Sequence, residues 1–117
     1  MQWIFFECAR EGIIITSPDT TILAVNRAFC AITGYTEKEI LGQTPKVLAS
    51  GRHDQDFYRD MWASIESAGA RRGEIWNRRK SGEVYQETLS ITALCDDNGE
   101  LTNYVGMFCE LDEAVDS

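Results

Sequence analysis

The chain predicts an α+β domain in which an antiparallel sheet carries its helices on one face. Three observations predict it. Two β-branched-rich runs near the start are separated by a tight turn; three capped helical segments follow; and the last third alternates apolar and polar residues between Gly-containing turns. The resulting order is β-β-α-α-α-β-β-β. At 117 residues the chain is the size of one domain.

Gln2 to Arg10, with Trp3, Ile4, Phe5 and Phe6, predicts a short amphipathic helix that covers one face of the sheet. Gly12 to Thr16 and Thr21 to Val25 are strands joined through Ser17-Pro18-Asp19-Thr20. Asn26 is placed to cap the next helix, and Gly34 to end it in a left-handed conformation. Thr36-Glu37-Lys38-Glu39 is a capping box flanked by the Tyr35/Ile40 staple, and Gly42 closes that second helix. Helices this short need a sheet to pack on, and the space between the two is where small ligands sit. A loop from Gln43 to His53 follows. Asp54 then caps the longest helix, which places Phe57, Tyr58, Met61, Trp62 and Ile65 on one broad face and stops at Gly69.

The remaining strands are Arg72 to Lys80, Glu83 to Cys95 and Leu101 to Glu110, joined at Ser81-Gly82 and Asn98-Gly99. From Tyr85 onward, Glu87, Leu89, Ile91 and Ala93 share one face, and Gln86, Thr88, Ser90 and Thr92 the other. In the last strand Tyr104 and Phe108 lie on one face while Val105, Met107 and Cys109 lie on the other, so both faces require cover. Trp76 has the parity of the outer face. Trp3, Phe5, Phe6, Trp76, Val105 and Met107 are therefore the candidate dimer face, shared between the N-terminal helix and a second copy of the chain.

Composition narrows the function. Eleven basic against nineteen acidic residues give a net charge of −8, which argues against a nucleic-acid or anionic-membrane surface. Arg71-Arg72 and Arg78-Arg79-Lys80 read as solvated strand-edge and turn charges. No apolar run approaches the ~20 residues of a spanning helix, and no secretory signal pattern is present. Cys8, Cys30, Cys95 and Cys109 have neither metal nor redox-motif spacing, and buried reduced thiols in a cytoplasmic protein are expected. The single histidine has no nucleophile at motif spacing, and the glycines sit at turns rather than in a phosphate loop, so no catalysis is expected.

Four strings, EGIIIT, ILAVNRAFCAITGYTEKEILGQ, GEIWNRRKSGEVYQETLSITAL and YVGMF, together resemble a PAS domain over Glu11 to Phe108. The string SGRHDQDFYRDMW ahead of EIWNRRKSGE is most similar to PAS modules that precede cyclic-di-GMP enzymes and sensor histidine kinases in bacteria. The resemblance implies a five-stranded antiparallel sheet with short helices enclosing a pocket. It also implies a regulatory module linked to an output domain, which senses a ligand or only dimerises. Residues 2–10 are then a cap helix, 12–110 the core and 111–117 the start of a connector.

Ile14, Phe29, Ile32, Phe57, Met61, Asn77, Tyr85, Glu87, Leu89 and Phe108 are the residues expected to line the cleft. Glu87 points inward by strand parity. It serves either as a polar handle for a ligand, with Asn77 or Arg79, or in a salt bridge with Arg79, Lys38 or Arg27. The cofactor is not fixed by the sequence. His53 falls near the axial position of haem-binding relatives and is the candidate for that role, with haem the weaker reading. FAD is the better cofactor candidate, through Asp60-Met61-Trp62 and Asn77 to Gly82, although Ala70-Arg71 replaces the Pro-Trp of such redox sensors. The positions that hold the flavin edge in light-sensing LOV relatives are Asn77, Glu87 and Phe108. The reactive cysteine position of those relatives is Pro45, which excludes adduct photochemistry. Asp19-Thr20 stands where many PAS modules have Asp-Gly, and Glu110-Leu111-Asp112 where many have Asp-Ile-Thr.

Overall fold

The computed structural model describes residues 10–110. The expected cap helix with Trp3, Phe5 and Phe6, and the connector from residue 111, lie outside the described residues. The elements are β1 (Gly12–Thr16), β2 (Ile22–Val25), α1 (Arg27–Thr33), α2 (Glu37–Ile40), a 3-10 turn (Pro45–Leu48), α3 (Gln55–Ala68), β3 (Ala70–Arg78), β4 (Val84–Cys95) and β5 (Leu101–Glu110). The five strands form one antiparallel sheet in the order β2-β1-β5-β4-β3, with the helices packed on one face.

Local chemistry places the helices. Asn26 caps α1 by accepting the Phe29 N–H at 2.9 Å. The same Oδ1 accepts the Ile13 N–H at 2.8 Å, and Nδ2 donates to the Glu11 carbonyl at 3.0 Å. One side chain thus starts the helix and fixes it to β1. Thr36 and Glu39 close the reciprocal capping box of α2, and Glu39 reaches Lys80 in the β3–β4 turn. Asp54 caps α3 through the Phe57 N–H, and Gly69, at φ 81°, ends it. Burial of Ile14, Ile22, Phe29, Ile40, Leu48, Ile65 and Phe108 joins these helices to the sheet in one core.

Four details depart from the sequence reading. β3 begins at Ala70 rather than Arg72, because Gly69 turns the chain directly onto β4 and Ala70 pairs with Thr92. The loop after α2 contains the 3-10 turn, started by Pro45. Thr20, a β-branched residue, holds φ 70° in the first hairpin, where glycine is the usual occupant. Finally, Cys95 and Cys109 are exposed and Cys30 is half-buried, against the expectation of buried thiols; Cys109 lies near the end of β5, on the outer face of the sheet.

The outer face of the central strands pairs Ile13 with Met107 and Ile15 with Val105. Met107 is 37% exposed. Trp76 also lies on this face, half-buried beneath the Arg52 guanidinium at 4.1 Å. The free edge of β3 is covered by the segment ahead of α3: Ala49 bridges to Asn77, and His53 binds the Trp76 backbone.

Candidate functional site

A cavity of about 540 Å³ lies between the inner face of the sheet, the 3-10 turn and α3. Ile14, Ile75, Asn77, Leu89, Ile91, Gly106 and Phe108 form its floor; Met61, Tyr58, Trp62 and Gln55 of α3 form one wall. Pro45, Lys46, Leu48 and Ala49 form the other, with Thr16, Thr20 and Tyr104 at its rim. Its volume is in the range that holds small ligands. Gly106 keeps the floor open. A Cβ there would stand 2.8 Å from the Ile14 Cγ2 methyl. Trp62 meets the Tyr104 ring edge-on at 5.1 Å and closes one end.

The lining is chiefly apolar, and its polar point on the floor is Asn77, 5% exposed. Asn77 Nδ2 donates to Glu87 Oε2 at 2.6 Å, and the Tyr85 hydroxyl lies 3.4 Å from the same oxygen. Glu87 is 0% exposed. Its other oxygen, Oε1, is the one buried side-chain polar atom without a partner among the described residues. Burial pushes the Glu87 carboxyl up to about 7, against the lowering effect of Asn77 and Tyr85. Burial likewise raises the Tyr85 phenol, and the Glu87 charge adds to the effect.

Glu87 forms no ion pair with Arg79, Lys38 or Arg27, so the salt-bridge expectation is corrected. Arg79 instead binds Glu83 at 2.8 Å, Glu110 at 2.7 Å and the Ile32 carbonyl, with its guanidinium 3.8 Å over the Tyr85 ring. Lys80 is taken by Glu39. A carboxylate cross-strand from Glu87, that of Glu110, has drawn the arginine outward.

Of the ten residues expected in the cleft, Ile14, Met61, Asn77, Leu89 and Phe108 line the cavity. Phe29 is buried behind the floor, 5.7 Å from the Phe108 ring, and Ile32 faces a shallow recess beside Arg79 and Lys80. Phe57 stacks on His53 at 3.8 Å. Tyr85 and Glu87 sit behind Asn77 and reach the cavity through it. Lys46, Gln55 and Thr20 were not among the expected residues; they stand in the 3-10 turn, at the first position of α3 and in the first hairpin turn, where no periodicity assigns a face.

His53 does not line the cavity. Its Nε2 accepts the Trp76 N–H at 2.9 Å, and burial holds the imidazole below its usual range, in the neutral form that acceptance requires. An axial-ligand role does not fit this geometry. No group of three or more metal-ligating side chains occurs among the described residues, and no helix among them is long and apolar enough to cross a membrane.

A model of the PAS domain family matches residues 10–111. The chain belongs to the PAS domain family. A PAS domain of a protein from Colwellia psychrerythraea has the same fold, with a TM-score of 0.87 at 17% identity, over 93% of this chain and 92% of that one. A light-oxygen-voltage domain solved in work on a flavin analogue gives a TM-score of 0.80 at 26% identity, over 90% of this chain and 80% of that one. The nitrogen fixation regulatory protein of Klebsiella oxytoca is 34% identical over 101 residues, which cover 86% of this chain and 20% of that protein. The PAS domain thus spans only a small part of the curated regulators it matches, 10% to 33% of their lengths.

The flavin of LOV domains is a test of this PAS site. Of the three positions that resemble its edge contacts, only Asn77 presents a polar side chain to the cavity; Glu87 is behind it and Phe108 is apolar. Pro45 lines the cavity where the reactive cysteine would be needed. The donor set therefore does not fit a LOV flavin site.

Proposed function

We propose that this PAS domain is the non-catalytic input module of a larger bacterial signalling protein, and that it holds a small, largely apolar molecule in the cavity above Asn77. The observation that carries the reading is the apolar cavity with a single polar anchor on its floor, backed by a buried carboxylate. Apolar walls supply affinity through burial, and one buried hydrogen-bonding group supplies selectivity, since a ligand that leaves it unpaired is penalised. Filling the cavity would bias the sheet between two arrangements and so re-aim the chain that continues from β5 into a cytoplasmic output domain, a histidine kinase or cyclic-di-GMP enzyme. The outer face around Val105, Met107 and Trp76 is the surface through which two copies would pair.

The test is to denature purified protein, identify released small molecules by mass spectrometry, and return them in a thermal-shift assay. A stoichiometric ligand that raises Tm, and is lost when Ile75→Phe fills the floor, is the expected result. Protein that releases nothing and responds to no metabolite would leave a dimerisation module, which Met107→Asp would then dissociate. A redox flavin is the second reading, favoured by Met61, Trp62 and Asn77, which line the cavity. Its visible absorption, retained through desalting, would select it.

A further inference from the structure

Glu87 and Asn77 form a pair whose hydrogen-bonding sense depends on one proton. A carboxylate has only acceptors, so Asn77 must turn its NH2 group toward Glu87, as the 2.6 Å Nδ2–Oε2 contact records. The amide is planar. With its nitrogen directed at Glu87, its carbonyl Oδ1 is the atom left for the cavity that Asn77 lines. A carboxylic acid has a hydrogen to give. The acid can donate to Oδ1 once the amide has turned over about its terminal bond, and Nδ2 then faces the cavity.

We propose that protonation of Glu87 inverts the polar anchor of the cavity: the carboxylate makes the site an acceptor for ligand N–H or O–H groups, and the acid makes it a donor for ligand acceptors. The proposal rests on the cavity being the ligand site, and it names the class of ligand each form takes. Oε1, fully buried and without a partner, supports the protonation step, because a charged oxygen left unpaired costs more than the neutral carbonyl oxygen it becomes when Oε2 carries the proton toward Asn77. The surroundings leave both forms accessible. Arg79 favours the carboxylate but is held by Glu83 and Glu110; Glu110 on β5 disfavours it; Tyr85 on β4 offers a long hydroxyl contact; burial opposes charge. The balance brings the carboxyl to about 7, so the proton is taken from or given to water within the ordinary cellular range.

Two neutral bicyclic probes of similar shape separate the forms: indole, which offers an N–H donor, and benzothiazole, which offers a ring-nitrogen acceptor. Over about pH 5.5 to 8.5, indole is expected to tighten roughly tenfold and benzothiazole to weaken by a similar factor. Glu87→Gln, which cannot titrate, should flatten both profiles. Parallel profiles for the two probes would overturn the proposal. In the unliganded protein, the Glu87 carboxyl carbon and the Asn77 side-chain NH2 signals should titrate together by NMR. A carboxyl that does not titrate in this range, or an Asn77 amide that ignores it, would also overturn the proposal. If neither probe binds at any pH, the cavity reading above fails, and the NMR titration alone still decides whether Glu87 turns Asn77.

Discussion

Two buried asparagines, Asn26 and Asn77, do opposite things with the same side chain. Asn26, 1% exposed, accepts from Ile13 and Phe29 and donates to Glu11. These three contacts are to backbone, and the result is a fixed joint between α1 and β1. Asn77, 5% exposed, donates to a titratable side chain, faces a cavity, and stands beside a buried oxygen with no partner. The difference teaches where to look for function in a PAS core. A buried polar group satisfied by backbone holds the fold together, whereas one satisfied by another side chain with capacity to spare can change state.

The largest effect should come from the satisfied joint. Asn26→Ala leaves the Ile13 and Phe29 N–H groups buried without an acceptor and removes the cap of α1. A loss of about 3 kcal/mol of unfolding free energy is expected, from the cap and one desolvated donor together. Chemical denaturation measures it. A loss below ~1 kcal/mol would mean water replaces the side chain, and the contrast between the two asparagines would collapse.

The second effect belongs to the other node and depends on pH. Because the folded Glu87 carboxyl lies near 7, above its unfolded value of 4.5, the native state holds its proton where the unfolded chain has lost it. Its contribution is fully present below pH 4.5 and is lost as pH rises towards about 7, with no further change above. Glu87→Gln should remove this dependence. The stability difference between variant and wild type should shift in the variant's favour by on the order of 3 kcal/mol across that window. Subtracting the two curves cancels the carboxylates that act in the opposite sense, such as Asp19 and Glu39, whose hydrogen bonds lower them.

How much of this was legible in the sequence follows the same division. The joints were legible because capping is local: Asn26, Gly34, the Thr36–Glu39 box, Asp54 and Gly69 act within a few residues of themselves. Strand parity placed Asn77, Leu89 and Phe108 on the inner face, and the five-stranded antiparallel sheet was expected from the resemblance to PAS domains. Parity gives a face but not a depth. It therefore put Tyr85 and Glu87 in the cleft, whereas they lie behind Asn77, and it gave Glu87 the arginine that Glu110 holds. That competition spans 31 residues in sequence, between strands brought together only by the fold. The start of β3 at Ala70 was hidden for a similar reason, since pairing with Thr92 overrides a weak local strand preference at Ala70-Arg71-Arg72.

Next in size is the floor of the cavity. Gly106→Ala would place a methyl 2.8 Å from Ile14 Cγ2, the branched end of a stiff side chain on the neighbouring strand. A cost of about 1–2 kcal/mol is expected, as for other overpacked sites, with reduced ligand capture in the same variant. Unchanged stability would mean that Ile14 can swing into the cavity, and that the floor is softer than the α1 joint by more than this comparison allows.

The smallest effect sharpens the comparison most. Tyr85→Phe removes only a 3.4 Å hydroxyl contact to Glu87 Oε2 and keeps the ring beneath Arg79. Stability should therefore change by less than about 1 kcal/mol. The hydroxyl favours the carboxylate, so its loss should raise the Glu87 midpoint above about 7, by under about one pH unit. Carbon NMR of the Glu87 carboxyl reads this directly. The Ile13 and Phe29 amides and the Glu11 carbonyl that Asn26 binds do not titrate, so the same kind of change at those contacts moves no proton. A midpoint that stays in place would mean that Asn77 alone governs Glu87, leaving the Asn77–Glu87 pair rather than a wider cluster as the unit that can change state.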